Sequence, residues 1–221
     1  MKHIELAEAT SPVPASHPRK QAERASLSDE RMMTAAQELI AEGGVANATF
    51  QSIGERAGYS RGLITNRFGS KANLLKALVY SMRDHFHEEL TAALGDKIGV
   101  EAIDVVIDIY LGRVAYMPPA SRSFFVLMLE SVGPLPELRP VFADSIAYLS
   151  ERITERLLAA QHQNLIAGDI DCNRYSAYLM GALRGLRIQW MIDEERNDLI
   201  AIARDAKRYQ RMLLSPDRDH L

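Results

Sequence analysis

From Met32 almost to the C-terminus, apolar residues return every three or four positions, and nowhere do they alternate one by one between hairpin turn signals. That period marks helices buried along one side, and it restricts the chain to an all-α fold. Met32, Ala35, Ala36, Leu39 and Ile40 share one face of a first helix, with Ser28 as its cap and Gly43-Gly44 as its stop. Thr49 caps a second, short helix that turns Ile53 and Ala57 inward. A tight turn at Gly58-Tyr59 follows, and Ser60 caps a third helix whose inner face is Ile64 and Phe68. Ser70 caps a fourth, running from Lys71 through Leu74, Leu75, Leu78 and Met82.

The later segments keep the helical period. Helices are predicted over 100–116, stopped by Pro118-Pro119, then over 121–130, 141–163, 173–192 and 195–214, about nine in all. Residues 1–27, with Pro12, Pro14 and Pro18, read as a flexible tail in which Arg19, Lys20 and Arg24 are basic. The division expected is a three-helix unit over 28–71 and a larger helical domain over 72–221.

Bulk composition narrows the function. A hydrophobic fraction of 47% and a charged fraction of 25% are those of a globular protein. No apolar run reaches membrane-spanning length, and Glu5, Glu8 and Ser11 break up the start of the chain where a signal peptide would be apolar. Cys172 is the single cysteine, so an internal disulfide is impossible and a cytoplasmic protein is expected. Net charge is -3, but it is unevenly placed: residues 1–71 carry +1 and the rest -4. Between Arg56 and Lys71 lie Arg56, Arg61, Arg67 and Lys71 with no acid among them. A small positive patch on an acidic body suits contact with phosphates at one place only.

Two short helices joined by a glycine-containing turn form a helix-turn-helix, whose second helix enters the DNA major groove. With Ile64 and Phe68 facing inward, Arg61, Leu63, Thr65 and Arg67 turn outward, and Gly62 permits close approach. Arg61 near the helix start is the candidate base reader, because a guanidinium pairs bidentately with guanine. Leu63 suits a thymine methyl. Arg67 and Lys71 suit phosphates, Thr49 a phosphate, and Gln51 a phosphate or base edge. Spacing alone leaves a second reading open, in which these are ordinary solvated charges on a helical bundle.

Residues 31–75, from Arg31-Met32-Met33-Thr34-Ala35-Ala36 through Ile53-Gly54-Glu55-Arg56-Ala57-Gly58-Tyr59-Ser60-Arg61-Gly62-Leu63-Ile64 to Phe68-Gly69-Ser70-Lys71-Ala72-Asn73-Leu74-Leu75, resemble the N-terminal domain of the tetracycline-repressor (TetR) family. The resemblance implies a homodimeric transcriptional repressor that leaves a palindromic double-stranded operator when its C-terminal domain takes a small ligand. It also places base contacts at Gln51, Arg61, Gly62, Leu63 and Thr65, and phosphate contacts at Thr49, Arg67 and Lys71. The chain departs from the family pattern at Thr65 (usually tyrosine), Arg67 (usually aromatic or histidine) and Gly69 (often proline).

The stretch from Gly181 to Trp190 resembles the penultimate helix of many family members, which with the last helix implies a four-helix dimer interface. Gly181 and Gly185, four apart, open one face for close helix approach. Leu179, Leu183, Leu186, Leu199, Ile202 and Ala206 supply apolar area to that interface. Tyr110, Phe125, Met128, Phe142, Tyr178 and Trp190 are candidates to line a cavity for an apolar or aromatic ligand, with Arg187 as a polar anchor. A buried arginine there needs a carboxylate partner or an acidic ligand.

Other functions find less support. The six histidines form no catalytic or metal set, His85 and His87 sitting two apart on a helix and on different faces. No phosphate-binding glycine loop or His-Glu-x-x-His motif is present. Neither an enzyme nor a cofactor or metal is expected. A helical ligand-binding or partner-binding protein without sequence-specific DNA recognition is the competing function.

Overall fold

The computed structural model describes residues 17–112 and 118–217, and among these residues there is no strand. Nine α-helices follow one another there: α1 (His17–Gly43), α2 (Phe50–Ala57), α3 (Arg61–Phe68), α4 (Lys71–Leu94), α5 (Gly99–Ile107), α6 (Pro119–Val132), α7 (Arg139–His162), α8 (Cys172–Ile192) and α9 (Leu199–Leu214). No described helix is long and apolar enough to cross a membrane.

The short polar residues that open the N-terminal helices do so through their own side chains. Thr49, Ser60 and Ser70 each accept a hydrogen bond from an amide three residues on, at 3.0, 3.2 and 3.1 Å. Each such cap contributes about 1 kcal/mol. Asp171 and Asp198 cap α8 and α9 in the same way.

Four boundaries differ from the sequence expectation, one of them the start of α9, which lies at Leu199 and not at 195. Helix α1 begins at His17, so Ser28 lies inside it and residues 17–27 are helical where a tail was expected; residues 1–16 lie outside the described residues. Helix α5 ends at Ile107 and gives way to a π-helical turn over Asp108–Gly112. The rest of the helix expected to residue 116 lies outside the described residues. Pro119 opens α6 at a first-turn position, where the missing proline N–H has no helical partner to lose.

Buried side chains gather in two clusters. The C-terminal one joins the far end of α4 (Leu90, Leu94) to α5, the π-helical turn, α7, α8 and α9. A buried hydrogen bond of 2.9 Å from Thr154 Oγ1 to Ser176 Oγ ties α7 to α8, and the Tyr175 hydroxyl donates to Gln210 Oε1 at 2.6 Å between α8 and α9. The N-terminal cluster does not stop at residue 71. It runs along α4 through Leu74, Leu75, Leu78, Val79 and Met82, and it takes in Leu127 of α6 with Leu138, Val141 and Phe142 at the start of α7. Helix α1 packs more extensively on α6 than on any helix of its own unit. Met128 touches both clusters.

This shared packing predicts one folding unit. Leu127→Ala, at a side chain with no solvent exposure, should cost about 2–5 kcal/mol. Helical circular dichroism and the fluorescence of Trp190, in the other cluster, should shift together on heating; separate transitions would mean that the two clusters unfold independently.

Candidate nucleic-acid interface

Helices α2 and α3 meet through a turn that depends on two glycines. Gly58 takes a left-handed conformation (φ 77°) that a side chain would strain. Gly54 is needed for space: a Cβ there would lie 2.6 Å from the Tyr59 carbonyl oxygen and 3.4 Å from Ile64 Cδ1. The Tyr59 amide donates to the Gly54 carbonyl at 2.9 Å across this gap. Ile64 is thereby sealed with no exposure, and Phe68 is half-buried against the same cluster. Gly54 itself carries no distinct signal in the sequence, where a glycine inside a helix period signals only reduced helix propensity.

With Ile64 turned in, Arg61, Gly62, Leu63, Thr65, Asn66 and Arg67 are all exposed on α3. Leu63 is 43% exposed, a large apolar side chain left in water. At Gly62 an added Cβ would meet nothing closer than Ser60 Oγ at 3.9 Å, so the outer face of the helix is open there.

The charges on this surface are not equivalent. Arg56 donates two hydrogen bonds to Glu42, at 2.6 and 2.8 Å, with Glu38 at 3.7 Å, which clamps α2 to α1. The Glu42 carboxyl is held below the usual carboxylate range by that guanidinium. Arg67 pairs with Asp29 of α1, which ties the end of α3 back to the first helix. Lys71 Nζ donates to the Val45 carbonyl at 2.6 Å, and burial lowers its pKa. Gln51 Nε2 donates to Glu55 Oε1 at 2.6 Å, and the Thr65 hydroxyl donates to the Arg61 carbonyl at 3.0 Å. Thr49 forms a reciprocal capping box with Ser52. Among the described residues, the Arg61 guanidinium has no hydrogen-bond or ion-pair partner.

Behind this unit, the C-terminal candidates fall into distinct places. Leu179, Leu183 and Leu199 are packed inside the protomer at 1–2% exposure, so, against expectation, they have no area left for a partner chain. Leu186, Ile202 and Ala206 are half-buried against the same core. The open face of α8 is a different stripe: Tyr178, Gly181, Gly185, Gln189 and Ile192, three or four apart. A Cβ on Gly181 or Gly185 would meet nothing within 4 Å. Ile200, Tyr209 and Met212 are exposed on α9.

The expected ligand-lining set is not gathered in one place. Tyr110, Phe125 and Trp190 are buried in the C-terminal cluster, with Met128 at its border. Phe142 belongs to the N-terminal cluster, edge-on to Phe124 at 5.2 Å, and Tyr178 is 62% exposed on the outer stripe. Packing in the other core and outward exposure take these two away from Tyr110 and Trp190. A surface groove between the π-helical turn and α9, lined by Asp108, Ile200, Arg204, Lys207, Arg211 and Met212, includes none of the candidates. Among the described residues no group of three or more His, Cys, Asp or Glu is placed to hold a metal ion.

Comparison with known proteins agrees with this geometry. A family model described as bacterial regulatory proteins, tetR family, matches residues 32–78, from α1 into α4. The chain is 24% identical over 187 residues to the HTH-type transcriptional regulator TtgR of Pseudomonas putida, spanning 82% of this chain and 89% of that one. It is 32% identical over 111 residues to the uncharacterized HTH-type transcriptional regulator TtgW of the same species, spanning 50% of this chain and 79% of TtgW. A transcriptional regulator from Saccharomonospora viridis, solved in complex with choline, shares the fold with a TM-score of 0.74 at 19% identity, over 83% of this chain and 95% of that one. The chain belongs to the TetR family of bacterial regulatory proteins, DNA-binding regulators built on a helix-turn-helix.

Proposed function

We propose that the protein is a homodimeric repressor that grips a two-fold symmetric operator through α3 and leaves it when a small molecule binds the C-terminal helical domain. The observation that carries this reading is the outward row of Arg61, Gly62, Leu63 and Thr65, held in place by the sealed side chain of Ile64. Arg61 is free of intramolecular partners among the described residues and reads a base edge in the major groove. Leu63 meets a thymine methyl. Thr49 and Gln51 approach the backbone from the start of α2. Lys71 uses one ammonium N–H on Val45 and turns the others to phosphate. Arg67 exchanges Asp29 for phosphate as the duplex arrives.

Two-fold pairing follows from the same logic. An operator with half-sites about 34 Å apart needs two recognition helices, and the exposed stripe of α8 with its two uncrowded glycines suits close approach of a second copy. A regulator of the same fold solved in complex with choline supports a small-molecule ligand for this protein. The apolar surroundings of Tyr110, Phe125 and Trp190 favour a guest with an apolar or aromatic body.

Fluorescence anisotropy on a selected site and on a scrambled duplex tests the reader. Arg61→Ala should weaken the selected site by about 1–3 kcal/mol and the scrambled one hardly at all, whereas Lys71→Ala should weaken both alike. Equal losses for Arg61→Ala would remove its base-reading role. Asp29→Asn removes the carboxylate that competes for Arg67, so every duplex should bind tighter, whereas Arg67→Gln should flatten the slope of log K against log salt by about 0.9. An unchanged slope would mean that Arg67 does not reach the backbone. Gly181→Glu adds a side chain where the protomer has room. The protomer should keep its helicity while light scattering reports monomers; an intact dimer would place the interface elsewhere.

A further inference from the structure

Arg187 lies on the inward face of α8, between Leu183 and Trp190, and is 7% exposed. A guanidinium carries five N–H donors, yet among the described residues this one makes no hydrogen bond and no ion pair. Its Nη1 is fully shielded and has no partner. Its Cζ lies 5.7 Å from the centroid of the Trp190 ring, and a ring face offsets little of the hydration that burial removes. Burial lowers the Arg187 pKa, but an arginine does not surrender its proton inside a protein, so the charge stays.

Asp29, Asp104 and Arg152 also have one buried atom without a partner, but each keeps an ion pair through another atom, to Arg67, Arg211 and Glu155, and Arg187 does not. The other buried polar side chains at the α7–α8–α9 junction are satisfied: Thr154 bonds Ser176, Ser176 bonds the Cys172 carbonyl, and Gln210 receives the Tyr175 hydroxyl. Nearby cations on the surface also find acids, Arg211 at Asp104 and Lys207 at Asp108. One turn before Arg187, Arg184 stands beside the Tyr110 hydroxyl, whose pKa burial raises and the guanidinium only partly offsets. Tyr110 comes from the π-helical turn, which packs on α8, and such turns are frequent at functional sites. Tyr110 and Trp190, which meet these arginines, belong to the apolar and aromatic cluster that also holds Phe125, Met180 and Leu183.

We propose that the ligand sensed by this domain is an amphipathic carboxylate, an acid with an aromatic or alkyl body, whose carboxylate pairs with Arg187 while the body packs in the cluster of Tyr110, Phe125 and Trp190. A carboxylate matches the guanidinium fork with two parallel charge-assisted hydrogen bonds, and it removes the cost of a buried charge with nothing opposite. The proposal rests on the reading of the C-terminal domain as the sensor.

The test is thermal unfolding of the full-length protein at constant ionic strength with 4-butylbenzoate, decanoate, their primary amides and acetate. Each carboxylate at ten times its Kd should raise the Tm by about 3 °C or more, while the amides and acetate leave it unchanged. Arg187→Met keeps the length of the side chain and removes its charge. It should raise the Tm of the free protein and abolish the response to both carboxylates. The proposal is overturned if neither carboxylate stabilises, if the amides or acetate do as well, if Arg187→Met responds like the wild type, or if the free variant is less stable. No DNA is needed for this readout, so stabilisation by carboxylates without release of a bound duplex would sustain the site and strike only the repressor reading.

Discussion

Ile64 has no contact with solvent, and its δ-methyl lies where Gly54 lacks a side chain. This single packing contact sets the rotation of α3 about its own axis, and the rotation decides which residues can meet a partner. The helix is only eight residues long, too short to hold a fixed orientation by itself. Its cap at Ser60 fixes where it starts, the left-handed Gly58 fixes the angle to α2, and Ile64 fixes the face. Arg61, Leu63 and Thr65 are outward as a consequence.

The same geometry divides the basic segment into tethered cations and a free one among the described residues. Arg56 is committed to Glu42 and Arg67 to Asp29, both on α1, and Lys71 holds the turn at Val45. These links orient the unit and temper its positive charge, leaving Arg61 as the cation of this segment without an intramolecular partner among the described residues. Specific recognition gains from such an arrangement, since unpaired surface cations attract any duplex regardless of sequence. The N-terminal unit is in turn joined to the larger domain by apolar packing of α1 on α6 and the start of α7. Close-packed interfaces of this kind shift between discrete arrangements and do not deform smoothly. On the proposed reading, a ligand that repacks the surroundings of Arg187 and the π-helical turn has a physical route to the spacing of two α3 helices.

What could be read from the sequence was what is local. The caps at Thr49, Ser60 and Ser70, the turn at Gly58 and the inward pair Ile64 and Phe68 all act within four residues, so spacing alone reveals them. The tethers could not be found this way, because Asp29 and Arg67 are 38 positions apart and Glu42 and Arg56 are 14 apart. Helix α8 shows the intermediate case. Its period was plain, but a helix apolar on more than one side does not say which side faces its own core; the leucines turned inward and the glycines outward. The π-helical turn left no mark either, since one extra residue in a turn barely disturbs an apolar period already broad over Ile103 to Leu111. Phe142 lies in the N-terminal cluster, which its spacing could not reveal, because a single helix, α7, crosses from one core to the other.

The geometry of α3 is tested most directly by selecting bound sequences from random duplex DNA with the purified full-length protein at moderate salt. An outward row of reading residues, doubled by two-fold pairing, predicts enrichment of an inverted repeat whose half-sites lie about one helical turn apart. Recovery of the starting pool without sequence preference would contradict it.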